Sequence, residues 1–246
     1  RNAKYMQFEK KKQNLMAKEK KEKTSSLFRL KEDLKLKLIP SHIECFDNSN
    51  LQGTNPVAAC VVFKNGKPSK KEYRLFNIKT VVGPDDYKSM EEVVFRRYKR
   101  LINEKKTLPQ LIVIDGGKGQ LSSAVKSLKQ LNIDGQIAII GIAKRLEEIY
   151  FPNDSTPLYL DKKSSSLKLI QQLRNEAHRF GINHHRRKRM SENIKTSLDN
   201  ISGIGPKTST LLLKKFGSVK NLMNADYKIV QSLIGESKAK KIFGNT

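Results

Sequence analysis

Leu111-Ile112-Val113-Ile114-Asp115-Gly116-Gly117 sets four apolar residues, a carboxylate and two glycines in a row. A short apolar run bounded by turn residues reads as a strand buried on both faces, the kind found in parallel sheets. Glycines directly after it permit a tight turn and close backbone approach. Asp115 is thereby expected at a strand's carboxyl end, where open α/β sheets gather their ligands. Ile43-Glu44-Cys45-Phe46-Asp47 has the same form, an apolar-rich run closing on an aspartate. Two strand-end aspartates in a basic chain point to a metal-dependent enzyme acting on phosphates.

Outward from these strands, other segments fall into place. Leu27, Leu30, Leu34, Leu36 and Leu38 recur at near-helical spacing until Pro40 stops the pattern. Strands are expected at His42–Asp47, Val57–Phe63 and Glu72–Ile78. Lys64-Asn65-Gly66-Lys67 between the second and third is an Asn-Gly hairpin signal. A helix over 85–105 carries Pro84 near its start and Asp85 and Asp86 in its first turn, where acids favour the helix dipole. After the strand that ends at Asp115 come a helix from about Gln120 to Leu131 and a strand at Ile137–Ala143. A short hairpin (Glu148–Phe151 and Leu158–Leu160) leads to a helix opened by Ser164-Ser165-Ser166, which carries Leu167, Leu169, Ile170 and Leu173 toward Ala177 and His178. The order β-β-β-α-β-α-β-hairpin-α is that of the ribonuclease H-like fold, an α/β mixed sheet flanked by helices. In that fold the first and fourth strands are parallel neighbours, so Asp47 and Asp115 are expected side by side.

Composition bounds the partners. The chain has 246 residues, with 49 Lys and Arg against 24 acids and a net charge of +25. That imbalance favours nucleic acid first and an anionic membrane surface second. No apolar run approaches the roughly 20 residues a spanning helix needs, so no membrane partner is expected. Cys45 and Cys60 sit in apolar strand-like runs, as small core residues of a reducing compartment, and the cytoplasm is the expected location. Arg1 in place of Met reads as a fragment of a longer protein. Three parts are expected: a basic helical segment or linker over 1–38, a ribonuclease H-like domain over 39–190, and a helical module over 196–246. The polar, basic stretch 183–193 would separate the last two.

Asp47 and Asp115 carry the chemistry. Two carboxylates about 4 Å apart repel by about 4 kcal/mol at an effective dielectric near 20. One must protonate or a cation must lie between them, and carboxylate oxygens bridging to a phosphate suit Mg2+ or Mn2+. The plain alternative is that each aspartate caps the turn after its strand. His178 lies in Arg174-Asn175-Glu176-Ala177-His178-Arg179 on the unit's last helix, with Glu176 as competitor on another helix face. Gly116-Gly117-Lys118-Gly119 fits neither the Walker nor the dinucleotide pattern. A backbone nest there, with Lys118 facing substrate phosphate, is the remaining reading. His184 and His185, with Arg186, Arg187, Lys188 and Arg189, read as a phosphate-contacting run. Ser202-Gly203-Ile204-Gly205-Pro206-Lys207-Thr208 is a helix–hairpin–helix signature, in which Gly203 and Gly205 let backbone N–H groups meet a DNA phosphate and Lys207 adds a charge. Leu233-Ile234-Gly235-Glu236-Ser237-Lys238-Ala239 is the candidate second copy, with one glycine and a shortened turn.

Ile43–Ser49, Gly83-Pro84-Asp85-Asp86-Tyr87, Ile114–Leu121, Arg174–Phe180 and the hairpin at Gly203–Lys207 together resemble the C-terminal half of the UvrC family, the incision subunits of bacterial nucleotide excision repair. The resemblance runs from about Leu27 to the end. It implies an endonuclease domain that cuts 5′ to a lesion in double-stranded DNA, followed by tandem helix–hairpin–helix motifs. Asp47, Asp115 and His178 match the family's metal-binding residues, and Asp86 a further acid tied to 5′ incision. The family's N-terminal nuclease domain and main UvrB-binding motif are not found in this sequence, so UvrB is a partner expected of the full-length protein. From a different class, the alternative is a non-catalytic DNA-binding scaffold with structural aspartates.

Overall fold

The computed structural model describes residues 12, 25–49, 57–81, 83–143, 147–199 and 201–244, and for 49, 184–197 and 199 the backbone alone. The chain divides into two compact units, residues 1–182 and 183–246.

In the first unit, α1 (residues 25–33) is followed by β1 (His42–Ser49), β2 (Val57–Lys64), β3 (Lys67–Pro68) and β4 (Arg74–Asn77). Then come α2 (Asp86–Asn103), β5 (Leu111–Asp115), α3 (Lys118–Gln130), β6 (Ala138–Ala143) and β7 (Glu148–Tyr150), and α4 (Ser165–Asp199) begins. The strands form one mixed sheet in the order β3-β2-β1-β5-β6-β7, with β4 also on β2. β1 and β5 are parallel, with Phe46 opposite Ile114, so the strand ends that carry Asp47 and Asp115 are neighbours.

Alternation along the strands divides the core. Ile43, Cys45, Leu111 and Val113 face α1 and α4, where Leu27, Leu30, Leu34, Leu169, Ile170, Leu173 and Ala177 are buried. Phe46, Ile112 and Ile114 face α2 and α3, against Met90, Val94, Tyr98, Leu121 and Leu128. Asp47 and Asp115 share the parity of the first set and so point to the α4 side.

Two expectations are corrected. The leucine-rich helix ends at residue 33 instead of continuing to Leu38, which is 65% exposed. Lys35 turns left-handed (φ 51°), Leu36 N–H bonds the Lys31 carbonyl and Lys35 N–H the Glu32 carbonyl, a helix-ending pair of bonds that overrides the leucine spacing. The segment is also no separate part, because Leu27, Leu30 and Leu34 belong to the first unit's core; of the residues before 25, all but Lys12 lie outside the described ones. The third strand, expected at Glu72–Ile78, forms as β4 (Arg74–Asn77). The Asn65-Gly66 turn forms as expected, with φ 51° and 71°, and the two-residue β3 and a 3-10 turn at Lys70–Glu72 lead from it to β4. The basic stretch 183–193, expected to separate the last two parts, begins at the boundary between the two units, and its backbone is helical within α4.

The second unit contains α5 (Pro206–Phe216), α6 (Val219–Met223), α7 (Tyr227–Ile234) and α8 (Glu236–Phe243). Its core holds Leu198, Ile201, Ile204, Leu212, Leu222, Val230, Ala239 and Ile242. Gly203 (φ 92°) bends the chain into α5, which opens on Gly205 and Pro206, and Gly235 (φ 84°) alone joins α7 to α8.

Candidate metal centre

Asp47 and Asp115 are 2% and 4% exposed at the carboxyl ends of β1 and β5. Apolar packing on both faces of these strands holds the carboxylates in place, and the turn at Gly116-Gly117 leads the chain at once into α3. His178, on the half-exposed edge of α4, brings Nδ1 to 3.1 Å from Asp47 Oδ2. One ligand atom from each of Asp47, Asp115 and His178 lies within 4.8 Å of the others. Two hard carboxylate oxygens and an imidazole nitrogen, converging this closely, suit a divalent cation; two buried carboxylates without one would repel.

Beneath them lies Cys45, two residues before Asp47 on the same face. Burial pushes its thiol up, and the Asp115 and Asp47 charges push it further, so it stays an inert core thiol. Glu176, the competing acid, is engaged elsewhere: it accepts from Tyr73 Oη at 3.1 Å and from Arg179 Nε and Nη2 at 2.7 Å. The Arg179 hydrogen bond holds its carboxyl below the usual range, against the opposing effect of partial burial.

The start of α2 borders the same end of the sheet. Asp85 caps the helix, accepting from Tyr87 N–H at 3.1 Å and Lys88 N–H at 2.9 Å. Asp86 is the first helical residue, exposed and outside the three-residue cluster. Asn48, next to Asp47, donates to the Asp86 carbonyl at 2.8 Å and ties that helix to β1. Lys118, at the start of α3, has partners within the unit. Its ammonium donates to the Ser155 carbonyl at 2.8 Å and lies 4.9 Å from the centre of the Tyr150 ring. The carbonyl and the ring face together satisfy the cation locally. The side chains of His184, His185, Arg186, Arg187, Lys188 and Arg189 lie outside the described residues.

In the second unit, Gly203 and Gly205 are exposed at the turn before α5, and Lys207 is exposed in the first turn of that helix. The second hairpin reaches this turn. Lys238 Nζ is 3.5 Å from Thr208 Oγ1, and Lys241 Nζ lies 3.0 Å from where a Cβ on Gly203 would be.

Sequence reasoning passed over three features. Asn48 falls within Ile43–Ser49, and nothing in that run marks it as the tie to α2. Arg174 is held by Glu147 at 2.8 and 2.9 Å, a pair separated by 27 residues with no local signal. Glu44 is a charge in the middle of an apolar strand, which was a visible signal. It is fully buried, bonded by Arg97 Nη2 at 2.5 Å and Nε at 3.1 Å, with Tyr98 Oη at 3.1 Å and His42 Nε2 at 3.3 Å.

Comparison with known proteins adds a family. Residues 31–182 match the model of the UvrC RNAse H endonuclease domain, and residues 195–243 that of a SAM-like helix-hairpin-helix tandem. The chain is 62% identical to the UvrABC system protein C of Flavobacterium psychrophilum over 98% of its own length and 40% of that protein's. It is 58% identical to the protein of the same name from Porphyromonas gingivalis strain W83, over 87% of this chain and 36% of that protein. The chain thus spans about 40% or less of the length of these curated relatives. Among solved structures, human ENDOV aligns at a TM-score of 0.37 and 11% identity, over 66% of this chain and 98% of that one.

Proposed function

Because the chain belongs to the UvrC family, with that family's ribonuclease H-like endonuclease domain ahead of a helix–hairpin–helix tandem, we propose that it is a DNA excision-repair nuclease fragment. Its reaction is the divalent-metal-dependent hydrolysis of one phosphodiester of duplex DNA. The observation that carries this reading is the convergence of Asp47, Asp115 and His178 within 4.8 Å at the adjacent ends of two parallel strands.

Asp47, Asp115 and His178 would hold the cation, Mg2+ or Mn2+, which when bound supplies Lewis acidity and favours ionisation of a water molecule. The carboxylates orient that water and the phosphodiester by their fixed places on β1 and β5. With its proton on Nδ1, shared with Asp47 Oδ2, His178 keeps a lone pair on Nε2 for a ligand or a proton. Hydrolysis adds water across one P–O bond, and the burial of the carboxylates keeps bulk solvent from competing for them. The tandem module would grip the DNA backbone through the amides at Gly203 and Gly205 and through Lys207, without reading bases. Lys118 and the run Arg186, Arg187, Lys188 and Arg189 are further candidate phosphate contacts, and Asp86 is a candidate acid beside the site. On this reading the incision falls 5′ to a lesion, and UvrB is the partner expected of the longer protein.

The test is nicking of duplex DNA by the chain with Mg2+ or Mn2+, against EDTA and against Asp47→Asn. Metal-dependent nicking lost in Asp47→Asn supports the reading. DNA binding without metal-dependent nicking would instead identify a non-catalytic scaffold.

A further inference from the structure

The strands at the site end run β1, β5, β6, which sets Asp115 between Asp47 and the end of β6. α4 contributes a side chain on each side of it. His178 reaches Asp47 on β1. One turn earlier on the same helix face, Arg174 Nη1 bonds both carboxylate oxygens of Glu147, just past β6, whose Ile142 pairs with Asp115. Guanidinium and imidazole therefore stand at the end of the sheet that carries the buried carboxylates.

Glu147 adopts φ 57°, a left-handed backbone that glutamate seldom takes. Such conformations persist where the surroundings impose them, and they cluster at functional sites. The Arg174 side chain is 15% exposed, so holding it here costs desolvation. Glu147 occupies only Nη1, and Asn175 Oδ1 lies 3.5 Å from Nη2. Nε–H and one Nη2 N–H have no partner among the described residues.

We propose that Arg174 is a phosphate-binding residue of this site, aimed by Glu147 at the phosphodiester that Asp47 and Asp115 position. The inference rests on the nuclease reading above. Two carboxylates, a neutral imidazole and a divalent cation sum to no net charge. The phosphodiester brings one negative charge, and its equatorial oxygens gain more as water adds. An arginine fork meets two such oxygens at once, which a lysine cannot.

The experiment uses the full chain as wild type, Arg174→Ala, Arg174→Lys and Glu147→Gln. Duplex affinity is measured against salt in EDTA, Mn2+ affinity by calorimetry, and nicking at saturating DNA. In Arg174→Ala the slope of log affinity against log salt should fall by about 0.9, the worth of one phosphate contact. Mn2+ affinity should be unchanged, while nicking drops by about a hundredfold, as for loss of one transition-state donor. Arg174→Lys should keep the slope and lose most of the nicking. Glu147→Gln should slow nicking with Mn2+ affinity intact. An unchanged slope in Arg174→Ala, wild-type nicking in Arg174→Lys, or Mn2+ affinity falling in step with nicking would leave Arg174 a mere tether for His178 and overturn the inference. A wild-type chain that binds no Mn2+ brings down the nuclease reading, and this inference with it.

Discussion

Replacing Arg97 by methionine removes one partner of a buried ion pair and leaves Glu44 charged in the core. Burial by itself pushes the Glu44 carboxyl up, but hydrogen bonds from His42 and Arg97 and the Arg97 charge outweigh it and hold it at about 2, against 4.5 when free. At 1.36 kcal/mol per pH unit, that depression contributes about 3 kcal/mol to the folded state. The sign follows from the direction of the shift. Because the folded value lies below the unfolded one, the contribution is complete above pH 4.5 and is lost as pH falls from 4.5 toward 2. In Arg97→Met the His42 contact is left to oppose the burial effect without the guanidinium, so Glu44 is drawn toward its proton in the folded state. The variant should therefore be about 3–5 kcal/mol less stable at neutral pH. Its deficit should shrink as the pH drops toward 4.5, because protonation relieves the stranded charge. Urea unfolding followed by circular dichroism reads both effects, and urea avoids the screening that guanidinium salts bring. Arg97→Met combined with Glu44→Gln should recover much of the loss at neutral pH. A deficit below about 1 kcal/mol, the worth of a surface pair, or one that does not vary with pH would refute this account of the pair.

Three further outcomes are expected. Asp47→Asn and Asp115→Asn should each abolish Mn2+ binding by calorimetry with the far-ultraviolet circular dichroism unchanged; retention of wild-type affinity in either would dissolve the candidate centre. Gly141→Val should cost about 1–3 kcal/mol and weaken Mn2+ affinity, because its Cβ would stand 2.9 Å from the Gly116 carbonyl and 3.2 Å from Leu121 Cβ, forcing the turn after Asp115 to move. Gly203→Val meets both a left-handed backbone (φ 92°) and Lys241 Nζ at 3.0 Å, so duplex affinity should fall equally for unrelated sequences in a filter or anisotropy assay. A loss confined to some sequences would mean that the hairpin reads bases.

Much of the fold is written in short-range pattern. Apolar runs of five or so residues ending in turn glycines, the Asn65-Gly66 turn and the Gly203-Ile204-Gly205 hairpin each impose local geometry through sterics and burial, and each forms where the pattern puts it. The same parity that buries Cys45 and Val113 toward α4 sends Asp47 and Asp115 there too, so the pairing of the aspartates follows once the strand order is known. Other features depend on how helices rotate and dock against the sheet, which no local period encodes. His178 and Glu176 are two residues apart, and only the packing of Leu173 and Ala177 decides that the imidazole meets Asp47 while the carboxylate meets Tyr73 and Arg179. Lys118 lies in the motif, yet a carbonyl 37 residues later takes its charge. Glu44 with Arg97, and Arg174 with Glu147, are pairs 53 and 27 residues apart. Backbone alternation and turn sterics act between neighbours and can be read from the chain, whereas charge partners are chosen by Coulomb forces in a low-dielectric interior, across distances that exist only after the sheet has closed.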